Sequence, residues 1–162
     1  MEVTLLALQK NIVNLGFKIL GRALVSCSKI EPAVKKELMH YDDGFVIELS
    51  VLNTDSKIAV KKMGSEFKYL SNKYRQDPDL QVIFKSYKAA SLLVLGQIGA
   101  HEGYAQHRFI VKGDFTKAMP LVRILYYVEA YLFPKFITKK ILKEDPKRSS
   151  TKVRAYLGLL KG

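Results

Sequence analysis

His101, Glu102 and His107 are the nearest approach in this chain to a metal or proton-transfer set. Two imidazoles that share a zinc ion from one helix stand four residues apart, on one face. Here they are six apart, so no metal site is expected, and the residues read as surface or strand-edge groups. Cys27 is the single cysteine, in the stretch Ala23 to Lys29 without an acidic or histidine neighbour. It reads as a small buried hydrophobe, because a thiol needs a nearby cation or base to become a reactive thiolate. Gly96-Gln97-Ile98-Gly99 lacks the spacing of a phosphate-cradling loop and the Lys-Ser/Thr that ends one. Asp42-Asp43, Asp77 with Asp79, and Glu144-Asp145 lie beside turn formers and read as turn and cap residues. A nucleophile with its base, a carboxylate pair in a cleft, a metal set and a cofactor loop are what catalysis draws on. None is legible, so the chain is expected not to be an enzyme and to need no cofactor.

The elements around these residues follow from periodicity. Residues 3–39 read as helix, with Leu5, Leu8, Ile12, Leu15 and Ile19 on one face. Gly16 and Gly21 weaken its middle, and Glu31-Pro32 marks a restart, with Pro32 in the first turn of a short helix ending near His40. The period then drops to two. Phe45, Ile47, Leu49 and Val51 alternate with Glu48 and Ser50. Ile58 and Val60 follow after the turn Asn53 to Ser56, and Phe67 and Tyr69 after Gly64-Ser65. These are three meandering strands. A polar loop over 72–79 leads to a fourth strand at Leu80 to Lys85, then an apolar helix from Tyr87 to Ile98 stopped by Gly99. A helical turn over 101–106, a fifth strand over Arg108 to Lys112 and a helix with Thr116 near its cap come next. Pro120 is cheap only in a first helical turn, so that helix is expected to start late or kink. Pro134 ends it, a basic helix runs from Lys135 to Lys143, and a last amphipathic turn pair sets Val153, Tyr156 and Leu160 on one side. Strands in runs, with helices set to one side, predict an α+β fold: a single, mostly antiparallel five-stranded sheet with helices on one face.

The 162 residues are 48% hydrophobic and 26% charged, globular values that exclude a disordered or low-complexity chain. A chain this long buries ~70% of its unfolded surface and needs no staple. Its longest uncharged run, Ala89 to Ala100, is twelve residues, short of the ~20 a membrane span uses. Met1-Glu2-Val3-Thr4 has no basic segment, so a signal peptide is not expected. With a single cysteine, this points to a soluble cytoplasmic protein. The 27 Lys and Arg against 15 Asp and Glu leave +12, unevenly placed. Residues 1–40 (an N-terminal helical segment) and 41–134 (the core domain) carry +3 and +2. The basic extension 135–162 carries +7. A nucleic-acid reader spreads basic groups over a folded face, so nucleic acid is not expected. The tail suits a solvated face, or an anionic membrane surface or acidic partner.

From Gly96 the chain reads GQIGAHEGYAQHRFIVKGDFTKAMPLVRIL: a helix-ending glycine, a connector with Tyr104-Ala105-Gln106, a short strand flanked by Arg108 and Lys112, Gly113-Asp114, and a helix with Ala118-Met119. This resembles the C-terminal half of the sterol carrier protein 2 domain. In that family a Gly-ended helix, an aromatic-x-Gln turn, a lysine-flanked strand, Gly-Asn/Asp and an Ala-Met helix occur in this order. The resemblance covers about residues 30 to 128. Departures are His107 where the family usually has Gly, Pro120 in the last helix, and more than thirty further residues.

The resemblance implies a curved sheet with helices enclosing a hydrophobic tunnel that binds fatty acid, acyl-CoA, phospholipid or sterol without catalysis. The residues expected to line it are Leu92, Leu93, Leu95, Ile98, Phe109, Val111, Met119, Val122, Leu125 and Tyr126, with Tyr104 and Gln106 as polar contacts. On pattern alone these groups favour a close-packed core; the resemblance reverses the preference toward the hollow. Each ligand CH₂ removed from water contributes ~0.8 kcal/mol, an ample drive for a long acyl chain. The basic tail, from Lys135, Lys139, Lys140 and Lys143 to Lys147, Arg148, Lys152 and Arg154, is then expected to meet an anionic bilayer beside Phe133, Phe136, Ile137 and Ile141. The alternative is an accessory module whose groove takes a partner's amphipathic helix. Which lipid, and which oligomeric state, stay open.

Overall fold

The computed structural model describes residues 1–142 and 144–161; Lys143 of the basic tail and Gly162 lie outside them. The first element, α1 (Glu2–Ile30), is one unbroken helix, and α2 (Pro32–Leu38) restarts at Pro32. Proline costs nothing at that position, and Glu31 caps the turn by accepting from the Ala33 N–H at 3.3 Å.

The face of α1 that meets the protein differs from the expected one. Leu5, Leu8 and Leu15 are more than half exposed, whereas Val13, Phe17, Leu20, Leu24 and Cys27 are buried. Both stripes are apolar at helical spacing, so periodicity alone does not choose between them. The partners do. A Cβ at Gly16 would stand 2.5 Å from Val94, and one at Gly21 2.6 Å from the Tyr69 ring. The two glycines that weaken the helix are where its neighbours press closest. By length and composition α1 is also long and apolar enough to cross a bilayer, which the limit on uncharged runs does not anticipate. Its second half is committed to the core.

Five strands form one sheet: β1 (Val46–Val51), β2 (Lys57–Met63), β3 (Glu66–Leu70), β4 (Leu80–Phe84) and β5 (Phe109–Gly113), in the order β3-β2-β1-β4-β5. Three pairings are antiparallel, and β1 runs parallel to β4. The register aligns the inward residues of successive strands. Leu49 lies between Ile58 and Val82, Val82 meets Val111, and Phe84 meets Phe109. The reverse face is covered in part. Glu48 is 5% exposed, with Gln81 Nε2 donating to it at 3.0 Å, the Tyr74 hydroxyl donating to its other oxygen and Lys57 Nζ 3.7 Å away.

Helices pack on the inward face. α3 (Tyr87–Val94) stops four residues before the expected end because Gly96 takes a left-handed φ of +65°. Then come α4 (Ala100–Ala105), β5, and α5 (Phe115–Leu132). Of the two outcomes expected from Pro120, the late start is not found: α5 begins at Phe115. Asp114 caps it by accepting from the Thr116 N–H at 2.9 Å, and the helix runs through Pro120. The carbonyl that loses its partner belongs to Thr116, which is exposed and open to water. α6 (Lys135–Ile141) and α7 (Lys152–Lys161) follow. In α7 the expected stripe is again turned outward. Val153 and Leu160 are 66% and 81% exposed, and Ala155 and Gly158 make the close contact with α1. Ser26 Oγ donates to the Ala155 carbonyl at 3.0 Å, a spacing that only small residues permit.

Candidate functional site

Between the sheet and α5 lies a cavity of about 220 Å³. Leu49 and Val82, with Val111, Phe84 and Phe109, are its sheet wall. Ala118, Leu121, Val122 and Leu125 recur at three and four residues along α5 and roof it. Leu20 of α1 and Leu93 of α3 close the inner end. His101, Tyr104, Phe115 and Met119 line it too and are exposed, which makes their side the mouth. Only His101 and Tyr104 bring polar side chains to the lining. Aromatic rings lead toward the mouth, Phe84 edge-to-face with Phe109 at 5.5 Å and Phe109 tilted against Tyr104 at 5.9 Å. Water gains few hydrogen bonds in such a space, and an engineered apolar cavity of about 150 Å³ already takes benzene.

A groove of about 220 Å³ adjoins the inner end and shares Leu20, Leu93 and Leu125 with the cavity. Gly16, Val94 and Phe133 are on its other side. The three leucine side chains are thus a wall common to the two hollows.

Seven of the twelve residues singled out in the sequence meet at the cavity: Leu93, Tyr104, Phe109, Val111, Met119, Val122 and Leu125. Five are placed elsewhere. Leu95 is 46% exposed, since α3 has ended before it. Leu92 is half-buried outside the lining, and Ile98 is buried beneath Gly103. Gln106 is exposed and folded onto its own helix, its Nε2 donating to Glu102 at 2.8 Å and its Oε1 accepting from Arg108. Tyr126 looks into a neighbouring cleft, where its hydroxyl donates to the Glu144 carbonyl. Sequence reasoning missed Leu20, Leu49, Val82, Phe84, Ala100, His101, Phe115, Ala118 and Leu121. The inward strand alternation marked Leu49, Val82 and Phe84, and the stripe 118–121–122–125 was available on α5.

The glycine-rich connector has a geometric rationale. Gly113 adopts φ +114°, and a Cβ there would stand 2.4 Å from the Asp79 carbonyl oxygen. His107 holds φ +52°, the left-handed region in which glycine is unstrained. That is the position at which the resembled family usually carries Gly.

Glu129 of α5 is 5% exposed and accepts the Ala100 N–H at 2.9 Å, which fixes the start of α4 and so the mouth residues that α4 carries. Burial pushes its carboxyl up to about 7, with the Ala100 N–H pulling the other way. Burial, with the nearby Glu31 charge, likewise pushes the Cys27 thiol up to about 12, so it stays protonated. Among the described residues no three His, Cys, Asp or Glu side chains are grouped to hold a metal ion.

No protein-family profile matches the chain, and no curated protein sequence matches it. Solved structures do. One is a UbiJ-SCP2 ubiquinone synthesis protein, with a TM-score of 0.50 and 17% identity over 74% of this chain and 98% of that one. Another is sterol carrier protein 2 from Yarrowia lipolytica in its apo form, with a TM-score of 0.44 and 17% identity over 69% and 88%. A third is sterol carrier protein 2 like 2 from Aedes aegypti, with a TM-score of 0.36 and 13% identity over 55% and 86%.

Proposed function

From a chain with the sterol carrier protein 2 fold, we propose a non-catalytic carrier that binds or transfers a hydrophobic lipid and holds its hydrocarbon end in the cavity. The observation that carries this reading is the cavity itself, about 220 Å³, walled by carbon and rimmed by four exposed side chains. At ~0.8 kcal/mol per CH₂, eight methylenes buried there supply roughly 6 kcal/mol. A longer chain reaches the adjoining groove only by displacing the shared wall of Leu20, Leu93 and Leu125. Fatty acyl and phospholipid chains are the first ligands to try. The neighbour named for ubiquinone synthesis adds prenylated quinones.

In this reading the carrier works in the cytoplasm and approaches anionic bilayers through the +7 tail. Phe136 and Leu160 there are 76% and 81% exposed. Each Lys or Arg near such a surface contributes ~1 kcal/mol. Native mass spectrometry of the protein purified from cells tests the carrier: a co-purified lipid mass is expected. A bare chain that also fails to bind a neutral fluorescent lipid probe would overturn it.

A further inference from the structure

The outward stripe of α1 carries a stricter pattern than an exposed face needs. Met1, Leu5, Leu8, Ile12, Leu15 and Ile19 recur at alternating steps of four and three. That is the seam of a heptad repeat, by which one helix packs along another. Leu5, Leu8, Leu15 and Ile19 are exposed and Ile12 is half-buried, while the row from Val13 to Leu24 faces the core. Further along, the same seam already seats a helix. It continues through Arg22 to Ser26, whose Oγ donates to the Ala155 carbonyl of α7 at 3.0 Å. A Cβ at Gly158 of α7 would stand 2.2 Å from the Ser26 hydroxyl oxygen. So α7 fills the far end of the seam and leaves the stretch from Met1 to Ile19 open to a helix of another chain.

Charge and position select the partner. The residues flanking the open seam are Glu2, Thr4, Gln9, Asn11, Gly16 and Lys18, whose only two charges are opposite and stand at its two ends. Two copies of this helix therefore meet with no like charges face to face. A helix lying on a bilayer instead sets many Lys and Arg beside its apolar stripe. Nor can α1 cross a bilayer while Phe17, Leu20, Leu24 and Cys27 belong to the core. We propose that the stripe is the seam of a homodimer, in which the α1 helices of two copies lie antiparallel. In a parallel pair both α7 helices would sit on the seam at Ser26 and each would prise α1 from α1 by ~10 Å, the width of a helix. In the antiparallel pair each α7 lies beyond the other copy's Met1. The core layers are then Leu8 with Ile12, Leu5 with Leu15, and Met1 with Ile19 of the second copy. This dimer stands independently of what the cavity holds.

Sedimentation equilibrium of the full chain in detergent-free buffer is expected to give twice the mass of one chain. Leu8→Glu and Ile12→Lys, each alone, should weaken dimerisation at least tenfold. Their equimolar mixture should restore it, because only the antiparallel order sets position 8 against position 12. Leu5→Glu mixed with Leu15→Lys repeats the test with two exposed positions, should the half-buried Ile12→Lys fail to fold. A chain that is monomeric at every concentration, or a dimer that none of these variants weakens, would overturn the proposal. So would single variants that dissolve the dimer when neither mixture restores it. A monomer that binds neutral phosphatidylcholine vesicles, and loses that binding with Leu8→Glu, would assign the stripe to a bilayer and overturn the proposal as well. None of these outcomes bears on the carrier reading, which the co-purified lipid decides separately.

Discussion

Tyr131 donates its hydroxyl proton to Glu31 at 2.6 Å, joining side chains 100 residues apart. Ser149 completes the clasp through its N–H at 2.9 Å and its hydroxyl at 3.0 Å, and the Ser150 N–H donates to the Tyr131 oxygen at 3.0 Å. Burial pushes the Glu31 carboxyl up, but these hydrogen bonds outweigh it and hold the group below the usual carboxylate range. A single buried acid thereby ties the middle of the C-terminal extension, just ahead of α7, to the corner between α1 and α2.

Tyr131→Phe is expected to loosen that tie. It leaves Glu31 and the Ser150 N–H each one partner short, which costs about 1–3 kcal/mol. Urea denaturation gives the stability change, and limited trypsin digestion should cut sooner at Lys147 or Arg148. An unchanged midpoint together with unchanged digestion would show that the clasp contributes nothing.

Ala118→Leu fills the cavity from its roof. Ala118 is 6% exposed and lines the hollow, so three added carbons occupy ligand space with little strain. Nile red affinity should fall at least tenfold while the melting temperature holds or rises. Undiminished affinity would place the probe elsewhere.

Glu129 sets a pH dependence. Its carboxyl is neutral in the folded state up to about 7, against 4.5 for the ordinary group. Between these values the folded chain binds more protons than the unfolded one, so stability falls as pH rises from about 5 to 7 and then levels. The full span is about 3 kcal/mol. Glu31 acts oppositely and lower, losing its contribution as the solution is acidified. Comparing denaturation midpoints of the native chain and Glu129→Gln from pH 5 to 8 isolates the Glu129 part. The difference between them should grow in favour of the variant as pH rises, and a constant difference would contradict the buried-acid account.

His107→Gly removes backbone strain at φ +52°. Glycine occupies that region freely, whereas other residues bear ~1–2 kcal/mol, partly offset by the greater freedom of unfolded glycine. A net gain of about 0.5–1 kcal/mol is expected in thermal denaturation. A loss would mean that the exposed imidazole makes a contact worth more than the strain.

Much of the fold was legible because it depends on neighbours in sequence. The alternation of Ile47, Leu49, Val51, Ile58, Val60, Val82 and Phe84 set both the strands and their inward face. Pro32, Asp114 and the turn residues set where helices begin. What failed was local chemistry that points two ways. In α1 the stripe Leu5–Leu8–Leu15 and the stripe Val13–Phe17–Leu20–Leu24 are equally apolar, and only the approach of Val94 and Tyr69 onto Gly16 and Gly21 selects the second. In α7 the largest side chains lost to Ala155 and Gly158, because the space beside Ser26 admits nothing bigger.

The site divides in the same way. Seven of the twelve residues singled out in the sequence line the cavity, as apolar groups on elements that must face the sheet. Leu95 and Tyr126 are as hydrophobic and stand elsewhere, since the end of α3 and the rotation of α5 about its axis decide where a side chain points. Composition and periodicity determined that a large apolar surface had to be covered, because burial free energy scales with area and area is additive along the chain. Whether that surface meets itself or leaves a hollow depends on distances between elements far apart in sequence. The separation of α5 from β4 and β5 is therefore a property of the assembled protein.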